Sequence, residues 1–119
     1  MGYHISIWDG ETPNDVEHAH KIWSRIYREA HPRVPPSTRM SAFVQLLEQE
    51  WPGAIADDTP WKYAPLAQDA AGNLFDTALR WGADDAAARI CALAEREGLV
   101  FFDPQHPDLR GRFRPRWEQ

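Results

Sequence analysis

His18 and His20 invite the first question, because paired histidines on one helix can hold a metal ion. Two positions apart, they point about 200° away from each other and cannot share an ion as an i, i+4 pair does. Glu17 with His20 supplies only two ligands. Cys91 is the only cysteine, which excludes an internal disulfide and a cysteine-built metal cage. It lies in an apolar helical stretch and reads as a small buried hydrophobe; no local motif offers the base a nucleophile needs. Gly10, Gly53, Gly72, Gly82 and Gly98 fall singly, as turns and caps, so no phosphate-cradling loop is present. No nucleophile-elbow or kinase signature occurs. Asp84-Asp85 opens a helix, where carboxylates serve the exposed amides. Asp57-Asp58 lies in a loop, and solvation is its plainest reading. No catalytic residue, metal or cofactor is expected, and the chain reads as a non-enzyme.

What the chain carries instead is charge and aromatic area. The net charge is −5, unevenly spread: residues 1–109 hold 17 acids and 9 bases, a balance of −8, whereas residues 110–119 hold four arginines and one glutamate, a balance of +3. An acidic body repels phosphate backbones and attracts a basic partner, so direct binding of nucleic acid by the body is not expected. Of the six tryptophans, Trp23, Trp51 and Trp81 read as core. Trp8 and Trp61 sit at strand ends beside acidic loops, the composition of a protein-binding hot spot. The alternative is that they close the ends of the sheet. The candidate partner contacts are Asp9, Glu11, Asp57, Asp58, Trp61 and Asp69. Arg110-Gly111-Arg112-Phe113-Arg114-Pro115-Arg116-Trp117 mixes arginine with aromatics. Such segments bind RNA or acidic surfaces, but the simpler reading is a tail that folds back on the acidic body or stays solvated.

The elements that must position these residues follow from periodicity. Alternation predicts a strand over 3–8, with Tyr3, Ile5 and Ile7 on one side and His4, Ser6 and Trp8 on the other. Thr12-Pro13 reads as a helix start, and Val16, Ala19, Trp23, Ile26, Tyr27 and Ala30 make one apolar stripe, ended by His31-Pro32. After the stiff Val34-Pro35-Pro36 connector, Ser37 or Thr38 caps a second helix that Pro52-Gly53 stops. Residues 61–66 are predicted as an edge strand, because Pro65 has no amide donor. Residues 67–72 read as a turn-rich link and 74–81 as a strand. Asp84 caps a third helix that ends at Glu97-Gly98, and 99–102 form the last strand.

The order β-α-α-β-β-α-β predicts an α+β fold: a ferredoxin-like, four-stranded antiparallel sheet with helices on one face. A single domain over 1–105 and a basic tail over 106–119 are expected. The 119 residues suit one core, and 43% hydrophobic with 26% charged residues exclude wholesale disorder. Apolar runs are only a few residues long and the N-terminus lacks a basic region followed by a long apolar one. A cytoplasmic protein without membrane contact is therefore expected.

Four segments, Tyr3 to Trp8, Phe43 to Pro52, Thr59-Pro60-Trp61 and Gly98 to Gln105, resemble the immunity proteins that accompany polymorphic and contact-dependent growth-inhibition toxins of bacteria. The likeness covers most of residues 3–105, and its motifs are strand edges and turns. It implies an inhibitor of a cognate toxin domain. Many such toxins are nucleases with basic clefts, which an acidic inhibitor would meet with complementary charge.

Three readings follow. The first is an immunity or antitoxin-type protein that binds a basic toxin through the contacts named above. The second is a small-molecule enzyme or sensor using His4, Asp76 or Arg80 on an open sheet face. The third is a homodimer that pairs those open faces.

Overall fold

A computed structural model describes residues 3–30, 34–52, 59–62, 66–80 and 84–103. Strand β1 (Tyr3–Trp8) is followed by helices α1 (Val16–Ala30) and α2 (Thr38–Glu50). A 3₁₀ turn (Leu66–Asp69) then leads into β2 (Ala70–Ala71), β3 (Leu74–Leu79), helix α3 (Asp84–Arg96) and β4 (Val100–Phe102). The strands form one sheet in the order β2-β3-β1-β4, and every neighbouring pair is antiparallel. The protein is thus an α+β protein with a four-stranded antiparallel sheet, as the sequence predicts.

Local chemistry explains most element ends. Asp15 and not Thr12 caps α1, its Oδ1 accepting from the His18 amide at 2.7 Å, so the helix begins at Val16 and not at the expected Pro13. Ser37 caps α2, its Oγ accepting from the Met40 amide at 3.1 Å. At the end of α3, Gly98 adopts φ +76 while its amide bonds to the Glu95 carbonyl and the Leu99 amide to the Ala94 carbonyl. This is the paired-bond C-terminal cap that a left-handed glycine permits.

Two expectations need correction. The expected second strand, 61–66, is not seen among its described residues, Trp61, Lys62 and Leu66. Trp61 makes only an isolated bridge to Leu79, and the strand is the two-residue Ala70–Ala71 in the stretch expected to be a link. The reason is local: buried Thr77 donates from Oγ1 to Asp69 Oδ2 at 2.8 Å, which ties the 3₁₀ turn to β3 and leaves only two residues to pair. The helices also do not share one face. Ile5, Ile7, Phe75 and Leu79 pack under α2 and α3, in a core with Met40, Phe43, Val44, Leu47, Ile90 and Leu93. Trp8, Leu74 and Phe102 point the other way and pack under α1, against Ala19 and Ile22. The α1 stripe is wide and apolar, and the Trp8 side of β1 offers the matching surface, so burying one against the other removes both from water. The sheet face expected to be open is thus covered by the chain's own first helix. No helix among the described residues is long and apolar enough to cross a membrane.

Candidate binding groove and a buried polar cluster

The residues of the second reading, His4 and Asp76, do meet. Ser6 lies opposite Asp76 in the β1–β3 register, and His4 lies one pleat along on the same face. Asp76 Oδ1 accepts from His4 Nε2, from Ser6 Oγ at 2.5 Å and from Trp23 Nε1 at 3.3 Å. The Trp23 ring, from α1, stands edge-on to the His4 ring. A serine, a histidine and an aspartate in contact suggest acyl-transfer chemistry, but the connections are different. Such chemistry places histidine between serine and aspartate, so that the imidazole takes the hydroxyl proton. Here the carboxylate is central, and the Ser6 hydroxyl is fully buried and donates straight to it. The geometry gives a buried polar group its hydrogen bonds and fastens α1 to the sheet through Trp23. Arg80, the third residue of that reading, is tied elsewhere: its amide donates to the Pro60 carbonyl and its Nη1 to the Thr59 carbonyl.

The expected partner contacts divide. Asp57 and Asp58 lie outside the described residues. Trp61 was expected at an exposed strand end but is buried, only 2% exposed, between Trp51 and Phe75. It belongs to the core under α2 because the bridge to Leu79 turns its indole inward. Among the described residues its Nε1 finds no acceptor. Trp8 is also fully buried, and its Nε1 donates to the Glu11 carbonyl at 3.0 Å. Of the two alternatives for these tryptophans, closing the sheet is the one realised. Asp69 accepts from Thr77 and so works inward.

Asp9 and Glu11 remain, and the fold brings them to a groove of about 570 Å³. Its walls come from four separate places. The loop after β1 supplies Asp9, Gly10 and Glu11; the last turns of α1 supply Arg25, Ile26, Glu29 and Ala30. The connector supplies Val34, Pro35 and Ser37, and the β2–β3 turn supplies Gly72 and Asn73. Backbone bonds lace these together: Ser37 N to Gly72 O, Gly72 N to the Val34 and Pro35 carbonyls, and Asp9 N to Asn73 O. Gly72 is required at this junction, since its φ is +55 and a Cβ there would stand 3.0 Å from that of Ala30.

The groove mixes charge with apolar surface. Asp9 pairs with Arg39 at 3.1 Å. Glu11 meets His18 Nε2 at 2.9 Å and Arg25 at 3.7 Å. His18 Nδ1 accepts from the Asn14 amide, which assigns the proton of the neutral ring to Nε2 and points it at Glu11. Glu29 makes no ion pair among the described residues. Val34, at 43% exposed, is the one exposed large hydrophobic among them. Glu29 and Val34 escape sequence reasoning because each looks ordinary in its own segment. Only the β2–β3 turn, arriving from forty residues away in the chain, makes them neighbours of Asp9. An exposed valine followed by two prolines was the one local hint.

The fold and the groove define an α+β protein with an acid-rimmed, partly apolar surface recess. Comparison with protein-family models, with curated proteins and with solved structures gives no match.

Proposed function

We propose that this is a protein-binding protein of the immunity or antitoxin type, which captures a basic toxin domain with the Asp9–Glu11–Glu29 groove as part of its contact surface. The observation that carries the reading is the groove itself, where Asp9, Glu11 and Glu29 lie around the exposed Val34 and Glu29 makes no ion pair among the described residues. Carboxylates at a recess steer a basic partner during approach, and a desolvated apolar contact then holds it. A nuclease domain suits such a surface, because its substrate cleft must itself be positive to bind phosphates. The resemblance of the strand and turn segments to immunity proteins points the same way. The small-molecule reading loses its cleft, because α1 lies over the sheet face it needs.

The test is association kinetics of the full chain with the basic terminal domain of a secreted toxin encoded in the neighbouring reading frame. The complex is expected to form about tenfold faster at low than at physiological salt. Glu29→Lys is expected to slow association about three- to tenfold, and Arg25→Gln to hasten it. A toxin domain that does not bind, or that binds at a rate indifferent to both substitutions, would overturn this assignment.

A further inference from the structure

The groove is a dock with no described occupant, and the same chain ends in a segment of opposite character. We infer that the C-terminal segment Arg110–Trp117 docks into the Glu11–Glu29–Val34 groove of its own chain and occupies it until a partner displaces it. This rests on the reading of the groove as a dock for basic segments and adds its resting occupant.

Three observations support it. The first is charge: of the groove's carboxylates Asp9 is paired with Arg39 and Glu11 with His18 and Arg25, while Glu29 has no ion-pair partner among the described residues. Residues 110–119 carry four arginines against one glutamate. Opposite charges at a recess raise local concentration and favour capture within one chain, where the ligand is already tethered. The second is pattern. Arg110, Arg112, Arg114 and Arg116 alternate with Gly111, Phe113, Pro115 and Trp117. An extended run with this spacing offers arginines to one side and aromatics to the other, which suits a groove that combines carboxylates with Ile26 and Val34. The third is reach. Phe102 lies opposite Ser6 and Val100 opposite Trp8, so the chain leaves β4 heading away from the groove end of β1. From Asp103 to Arg110, where the docked segment begins, is seven residues, or up to about 25 Å of extended chain. Phe102 pairs with Ser6, three positions before Asp9 or about 10 Å along the strand, so a tail that turns back reaches the Asp9 end of the groove.

The experiment is limited digestion of the full-length protein by an arginine-specific protease, with cuts after Arg110 to Arg116 followed by mass spectrometry. A synthetic peptide of residues 106–119 in the same buffer gives the undocked rate. At low salt the tail of the full chain is expected to be cut at least about fivefold more slowly than the peptide. At about 0.5 M salt the two rates are expected to converge. Full-length Glu29→Lys and Val34→Ser, both at exposed positions that leave the core untouched, should each be cut at nearly the peptide rate. A wild-type tail cut as fast as the peptide at low salt overturns the inference. So does protection that survives both substitutions, or protection that grows with protein concentration, which would mean docking onto a second copy. A freely cut tail alongside Glu29-sensitive toxin binding removes only the resting occupant. A protected tail with no toxin binding removes only the proposed partner.

Discussion

Replacing Asp76 tests whether the buried cluster fastens α1 to the sheet. Its Oδ1 collects His4, Ser6 and Trp23, and its side chain is only 11% exposed. Hydrogen bonds to a charged acceptor contribute about 1.5–3 kcal/mol each, and a buried donor left without a partner costs about 1–3 kcal/mol. In Asp76→Ala, the fully buried Ser6 hydroxyl loses its acceptor, while half-buried His4 and Trp23 can turn to water. Releasing the carboxylate from a desolvated site offsets part of the loss. The net expectation is destabilisation by about 2–4 kcal/mol, or a fall in Tm of roughly 10–20 °C for a domain near this size. Ser6→Ala alone removes one donor and leaves the carboxylate two, so about 1.5 kcal/mol, the low end of that range, is expected. The double variant should cost less than the two singles together by about 1–2 kcal/mol, because the penalty in Asp76→Ala is largely the orphaned serine. Urea denaturation followed by far-ultraviolet circular dichroism measures all four proteins. An Asp76→Ala stability within about 0.5 kcal/mol of wild type, or strict additivity, would refute the reasoning.

Gly98→Ala forces a side chain onto φ +76 and sets a Cβ 2.7 Å from the Arg39 guanidinium. A loss of about 1–2 kcal/mol is expected in denaturant melts, shrinking toward about 1 kcal/mol in an Arg39→Ala background, where only the backbone strain remains. Trp8→Phe removes the bond to the Glu11 carbonyl, whereas Trp61→Phe removes an indole nitrogen without an acceptor among the described residues. Thermal melts should therefore show Trp8→Phe costing at least about 1 kcal/mol more than Trp61→Phe, and equal losses would show that Trp61 does have an acceptor.

The legible parts of this protein were local. The two-residue alternation in 3–8, the Ser37 cap, the α1 stripe and the glycine that ends α3 each depend on residues within a few positions, and each is realised. The described residues of the stretch 61–66 depart from the expected strand for an equally physical reason. Its apolar residues were real core residues, but Trp61 and Leu66 enter that core from a bridge and a 3₁₀ turn, not from a paired strand. Trp61 illustrates the same ambiguity in a single residue: a tryptophan beside acids has the composition of a hot spot and of a core plug alike, and only burial separates them.

Sequence alone determined that this chain makes three amphipathic helices and an alternating first strand, that its body is acidic and that its end is basic. Those properties belong to single segments and survive any arrangement of them. Tertiary structure decided which side of β1 each helix covers, that Asp76 faces inward to Ser6 and Trp23, and that Asp9, Glu11, Glu29 and Val34 border one groove. These outcomes depend on burying whole surfaces against one another and on strand register, which couple residues tens of positions apart, and no window along the chain contains both partners.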